Sequence, residues 1–173
     1  MSSEERTACK REMCMRRISK IAGLAAVAEH TGRRLGLVER VCLSADGQDA
    51  EGLLLRLRGL FRRKRFVPFG SIALWGEVAV TVRRAERLPA AVQRREDVLG
   101  LAVLDTAGER LGWVTDAFVE ESSGRVLALE VSQGIVDDFC RGRIRVRDFT
   151  MRPDGVVAVT EEAGEEPSPP ACS

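Results

Sequence analysis

The chain contains no tyrosine and a single histidine, His30. Side chains that most often shuttle protons at neutral pH are therefore almost missing. His30 stands just before a Thr-Gly turn, where an exposed polar residue is expected, and it is given no catalytic role. Cysteines fall at 9, 14, 42, 140 and 172, an odd number without a CxxC pair. A zinc site needs about four clustered ligands, so these read as reduced, unpaired thiols. Cys42 and Cys140 are expected to serve as small apolar residues. No phosphate-cradling glycine loop, dinucleotide fingerprint or nucleophile elbow occurs. Asp137-Asp138 is the nearest approach to paired carboxylates. Neighbours on a strand point to opposite faces, so a loop-capping role is expected instead. The sequence offers no catalytic residue, no cofactor-binding residue and no metal ligand, which predicts a protein that is not an enzyme.

Long apolar runs are also missing. The longest, Ile21 to Ala28, falls far short of the roughly 20 residues of a membrane span. Met1 to Arg17 is charged throughout and has no apolar signal region. Cytoplasmic residence is the resulting expectation. Met13 and Met15 offer alternative starts to Met1.

What the chain does have is one phrase said twice. Thr31-Gly32-Arg33-Arg34-Leu35-Gly36-Leu37-Val38 is followed, 76 residues on, by Ala107-Gly108-Glu109-Arg110-Leu111-Gly112-Trp113-Val114. Gly32 and Gly108 supply the positive φ of a tight turn. Leu35 and Leu111 open strands. Gly36 and Gly112 sit inside those strands, which marks a bulge, a bend or a close backbone approach.

The similarity continues around the phrase. Ile21 to Ala28 reads as a buried first strand and Leu35 to Leu43 as the second. Asp46 to Asp49 is a turn. Gly52 to Arg58 alternates leucine with arginine over its second half, predicting one buried and one wet face. Arg65 to Phe69, Ile72 to Trp75 and Val78 to Val82 are further short strands, with Pro68 at a strand end. In the second pass Val98 to Leu104, Leu111 to Val119, Val126 to Val131, Arg143 to Val146 and Val156 to Val159 are the counterparts. Arg143 to Val146 matches Phe66 to Phe69 after one residue of slip, which sets Arg145 where Pro68 stands. Trp75 and Trp113 are expected in the core; either one, if exposed, would be an interface anchor.

These residues resemble a known family. A buried strand, a turn with Gly-x-Arg-Leu-Gly-x-Val, a second apolar strand, then Val67-Pro68-Phe69 and a closing Val78-Ala79-Val80 are similar to the PRC-barrel. That small β-barrel is named for the cytoplasmic domain of the photosynthetic reaction-centre H subunit. Similar barrels occur in ribosome maturation factors and in small sporulation-associated proteins. The resemblance covers Ile18 to Arg84 and Val98 to Glu162. It implies an all-β protein of two tandem small PRC-like barrels and a non-enzymatic binding module, with no catalytic residues carried over and no cofactor. The expected organisation is a flexible extension over 1–17, a first barrel over 18–84, a short, partly helical linker over 85–97, a second barrel over 98–162, and a disordered acidic, proline-rich tail over 163–173.

Charge divides unevenly between the halves. Residues 1–95 hold 20 basic and 10 acidic side chains, whereas residues 96–173 hold 7 and 16. The sharpest feature is Arg62-Arg63-Lys64-Arg65, with Arg56 and Arg58 nearby and Phe61 and Phe66 flanking. This set is the candidate partner-binding surface. A solvated hairpin tip is the plain reading of the run, and this chain's own acidic second half fits its charge as well; among separate partners, another protein leads. RNA, read through backbone contacts and base stacking, is the alternative, by analogy with ribosome maturation factors. An anionic membrane surface is a third fit, as peripheral contact only. Arg141, Arg143, Arg145 and Arg147 alternate along a second stretch, expected to pair with carboxylates on a neighbouring strand. Oligomeric state has no signature in the sequence.

Overall fold

The computed structural model describes residues 15–57, 63–90, 97–135, 138–139, 142–152 and 155–158. The calls over 1–14, on Arg58, Phe61 and Arg62, on Asp137, Cys140 and Arg141, and on everything from 159 to the tail lie outside these residues. So does most of the helix-friendly stretch 90–95, although Ala90 itself lies in an isolated bridge to Arg65.

The chain folds as two β units with the same strand order. In the first, Ala25–Ala28 (β2), Arg34–Leu43 (β3), Ala50–Leu57 (β4), Lys64–Pro68 (β5), Ile72–Trp75 (β6) and Ala79–Val82 (β7) form a sheet ordered β5-β4-β3-β2-β7-β6. In the second, Ala102–Leu104 (β8), Arg110–Glu120 (β9), Val126–Ser132 (β10), Ile144–Val146 (β11), Phe149–Arg152 (β12) and Gly155–Ala158 (β13) repeat it as β11-β10-β9-β8-β13-β12. Each sheet is antiparallel except where its first strand meets its last, β2 with β7 and β8 with β13. Among the described residues neither ladder closes. A 3-10 turn, Phe69–Ser71, carries the chain from the end strand β5 to the other end strand, β6.

The repeated glycines explain the shared shape. Gly32 and Gly108 adopt φ of 64° and 88° in the turns before β3 and β9. At Gly36 an added Cβ would lie 2.4 Å from the Arg56 carbonyl oxygen, and at Gly112 it would lie 2.1 Å from that of Ser132. Both positions therefore hold a close backbone approach to the next strand. The pairing of each first strand with its neighbour also shifts register beside them.

The core is continuous across both units. Leu53, Leu55, Val67 and Val80 of the first cluster with Val103, Val114, Leu129 and Val131 of the second. The two units also meet tip to tip. Asp49 and Arg125 form an antiparallel bridge. Ala50 N donates to Gly124 O at 2.7 Å, and Val126 N donates to Gln48 O at 2.8 Å. Asp49 and Arg125 stand 76 positions apart, and replacing each residue by its counterpart 76 positions away turns the Ala50–Gly124 bond into the Val126–Gln48 bond, so the contact is two-fold symmetric within one chain.

Several expectations are corrected. The ordered chain begins ahead of Ile18: Met15–Arg17 (β1) pairs with β9 of the second unit, Arg17 opposite Phe118. Ile21, expected to open the first strand, instead closes a helical turn, Ile18–Ile21 (α1), and the strand itself begins at Ala25. Ile18 and Ile21, three apart, bury one side of it, and Gly23 at φ 89° ends it before β2. Leu54 faces away from the main core and is still buried, because Cys42 and Phe66 cover it. Trp113 is 42% exposed and Trp75 is half-buried against Phe69, 5.8 Å between ring centroids. Within the described part of the linker the only helical piece is a 3-10 turn, Ala85–Arg87. The register of β11 also differs. Val67 pairs with Leu53 and Val146 with Leu129, so Arg145 is the counterpart of Phe66, and Arg147 that of Pro68. The longer connection between β10 and β11 takes up the extra residues.

β1 acts as a clasp between the units. Arg16 Nε pairs with Glu121 of the second unit, while its Nη2 donates to Trp75 O of the first at 2.7 Å. Arg16→Ala should lower stability by about 1–2 kcal/mol in denaturant unfolding. An unchanged midpoint would show that the clasp contributes nothing.

Candidate interaction surface

Strand polarity decides which side chains share an end. β2 and β7 run parallel, Ala28 beside Val82, so Arg83 and Arg84 emerge next to the Glu29–Arg34 turn. β3 starts at this end with Arg34. β4 finishes here with Arg56 and Leu57, Gly36 facing Leu57. β5 starts here, Lys64 facing Arg56. Arg33, Arg34, Arg56, Arg63, Lys64, Arg83, Arg84 and Arg87 are all exposed. The carboxylates close to them are few. Glu39 takes Lys64 at 2.6 Å, and Glu29 lies 4.0 Å from Arg83 Nε. The exposed His30 sits 3.9 Å from the same Glu29.

Of the candidate residues, Arg56, Arg63 and Lys64 therefore stand together on an open surface. Arg65 does not join them. It is half-buried and its Nη1 donates to Leu88 O at 2.9 Å, while Ala90 bridges to it along the outer edge of β5. Phe66 N donates to Pro89 O at 3.2 Å on the same edge. Phe66 is 6% exposed in a small cluster with Cys42 and Leu54, so it is no platform for a base. Arg33, Arg34, Arg83, Arg84 and Arg87 were not evident from the basic run alone. Their only signal is the two Arg-Arg pairs that flank β3 and β7, and it becomes legible once those strands are known to border one end.

The equivalent end of the second unit has a different character. Asp105 and Glu109 hold the β8–β9 turn: Asp105 N donates to Glu109 O, and Glu109 N to Asp105 Oδ1, both at 2.8 Å. Trp113 lies outward on β9 with the Arg110 guanidinium 4.8 Å from its ring centroid. After β10, Asp138 N donates to Gly134 O at 2.9 Å. Ile135 and Phe139, on either side of Asp138 in the chain, are each 91% exposed. Asp138 caps this loop; Asp137, the other half of the expected capping pair, lies outside the described residues. The Ser132 hydroxyl donates to Asp138 at 2.7 Å and Gln133 N at 3.1 Å. The Ser132 contact, more than the nearby Arg143, holds the Asp138 carboxyl below its ordinary value.

Beside that loop lies a buried charged patch. Positions that carry Cys42, Leu54 and Phe66 in the first unit carry Phe118, Glu130 and Arg145 in the second. Glu130 is 4% exposed and bonds Arg17 Nη2 through one oxygen and Arg143 Nη1, at 2.7 Å, through the other. Glu130 thereby raises the pKa of Arg143. Asp116, 3% exposed, accepts from Ser19 N at 3.1 Å, Ser19 Oγ at 2.5 Å and Ala117 N at 2.9 Å. Arg17 and Arg145 both stand over the Phe118 ring, 5.1 and 4.9 Å from its centroid. Of the alternating arginines, Arg143, just before β11, meets Glu130 of the neighbouring strand, whereas Arg145 stands over Phe118; Glu130 and Asp116 are engaged in holding β1 and α1 in place.

Two copies of one mixed-sheet unit, joined by a short connection and carrying exposed charged ends, define a tandem duplicated β protein. Residues 13–87 and again 92–152 match the PRC-barrel domain, and the chain belongs to that family. No curated protein matches it. Among the described residues no helix is long and apolar enough to cross a membrane.

Proposed function

We propose that this protein is a non-enzymatic, cytoplasmic adaptor or assembly module that grips an acidic partner surface with the basic end of its first unit. The observation that carries the reading is the convergence at that end of Arg33, Arg34, Arg56, Arg63, Lys64, Arg83 and Arg84, all exposed. Clustered cations of this kind steer and orient an acidic partner. A protein is favoured over RNA because Phe66 is buried, which removes one of the two aromatics that would stack bases. A membrane surface is disfavoured because no large apolar side chain among the described residues is exposed at this end to insert.

The test is capture from native lysate by the tagged full chain, with and without nuclease, at low and moderate salt. Expected is a protein partner that survives nuclease and is lost when Arg33, Arg34 and Arg63 are changed to Glu. Capture abolished by nuclease, with steep salt dependence, would transfer the surface to nucleic acid. Capture that ignores the charge reversal would overturn the assignment of this end.

A further inference from the structure

We propose that the place β1 occupies on the second unit is a docking site for an extended, arginine-bearing segment of a partner protein, and that Met15–Arg17 is its resident competitor. This surface is separate from the basic end, so the inference goes beyond the adaptor reading and stands without it. β1 adds itself to the edge of β9 by strand pairing, Met15 opposite Glu120 and Arg17 opposite Phe118. Its side chains are then read one by one. Glu121 takes Arg16 Nε, and Glu130 takes Arg17 Nη2. Asp116 lies 3.8 Å from Arg17 Nε, and the Phe118 ring centroid 5.1 Å from the Arg17 guanidinium. Backbone pairing combined with specific side-chain contacts is how a sheet edge recognises a peptide.

The first unit shows the same place built for stability alone. There Leu54 stands where the second unit has Glu130, and it is buried with Cys42 and Phe66. Asp116 and Glu130, 3% and 4% exposed, instead stand opposite each other on β9 and β10. Burying two carboxylates costs more than an apolar pair of the same size would. What the carboxylates add is selection for arginine. The resident strand can also leave without taking the fold apart. It is three residues long, and it ends at Arg17, the extended residue before α1. α1 stays behind, with Ile18 and Ile21 in the main core and Ser19 on Asp116. Arg143 stays on the second oxygen of Glu130, at 2.7 Å, so the emptied site keeps one of its cations. The resident fit is incomplete. Met15 is 50% exposed opposite Glu120, and among the described residues that carboxylate meets the Ser123 hydroxyl and no cation. A partner segment with arginine at all three places gains an ion pair that β1 lacks. A second copy's β1 gains none, so exchange between copies has no contact to drive it.

Fluorescence anisotropy with a labelled Gly-Arg-Arg-Arg-Val-Gly peptide tests this. Arg16→Ala with Arg17→Ala disarms the resident strand in the full chain and leaves the site itself intact. That chain should bind the peptide at least about tenfold more tightly than the parent, whose own strand competes at high effective concentration. Adding Glu130→Gln should weaken binding at least about tenfold, and so should citrulline in place of the peptide's arginines. Circular dichroism with thermal melting confirms that each chain is folded. Hydrogen exchange on the parent gives a second reading that needs no variant. The amides of Met15–Arg17 should exchange well before those of β9 and β10, and faster still with the peptide in excess. No binding by the disarmed chain overturns the inference. Binding that ignores Glu130→Gln or the citrullines does the same, and so does a β1 that exchanges only when the whole fold opens. A parent chain that dimerises in sedimentation, and ceases to with Arg17→Ala, gives the site to a second copy and overturns the separate partner. Capture through Arg33 and Arg34 is measured without the peptide, so this inference and the adaptor reading can each fail alone.

Discussion

Gly112→Ala should cost about 3 kcal/mol of unfolding free energy, a large effect for adding one methyl group. Its Cβ would stand 2.1 Å from the Ser132 carbonyl oxygen, and that oxygen belongs to a strand of the same ladder. Neither strand can retreat without breaking the β9–β10 pairing. The φ of 155° at this glycine adds backbone strain for any other residue. Two other glycines calibrate the effect. Gly36→Ala meets the Arg56 oxygen at 2.4 Å and should cost nearly as much. Gly108 has φ 88° with nothing within 4 Å, so Gly108→Ala bears only the conformational penalty, about 1 kcal/mol. Urea unfolding of the three variants would read this order. Equal losses at all three would mean that backbone crowding is not what selects glycine at 36 and 112.

Arg17→Met should destabilise the fold by about 2–3 kcal/mol, and adding Glu130→Leu should return most of that loss. Glu130 is buried and depends on two arginines. Removing one leaves a buried carboxylate short of its compensation, which costs more than the pair contributed. Leucine is what the first unit carries at this place, where Leu54 packs on Cys42 and Phe66. In the double variant the same packing becomes available, with Phe118 in place of Cys42. The expected signature is strong non-additivity in a double-mutant cycle. Two independent losses that simply add would show that Arg17 and Glu130 are not coupled.

Much of the architecture was legible because its causes are local. Turn glycines at 32 and 108, strand glycines at 36 and 112, and the valine-rich alternation on either side depend on neighbours a few residues away. The all-β, twofold-repeated fold follows from them. Features that depend on distant partners were hidden. Leu54 looked like part of a wet face because only Phe66 and Cys42, on two other strands, make its outward side dry. Met15–Arg17 looked detached because its partner strand lies a hundred residues downstream. Ile18 to Ile21 reads equally well as strand or helix from its apolar residues alone; the packing of both isoleucines against two units decides it. Trp113 looked like core because tryptophan usually is. Of the surface, the basic run announced itself at Arg63 and Lys64, whereas Arg83 and Arg84 joined it only through the parallel pairing of β2 with β7.

The symmetric tip contact has a consequence for how the two ends came to differ. Residues 48 to 50 meet residues 124 to 126 as one subunit of a two-fold dimer meets its twin. In a dimer of identical subunits every change is made twice, so both far ends would always carry the same charge and repel their own kind. Joined into one polypeptide, the halves can mutate separately. Arg40 can stand where the other half has Asp116, Leu54 where it has Glu130, and one half can expose a cluster of arginines while the other exposes Trp113, Ile135 and Phe139. Duplication followed by fusion thus gives a symmetric scaffold a direction, which no symmetric pair of single units can possess.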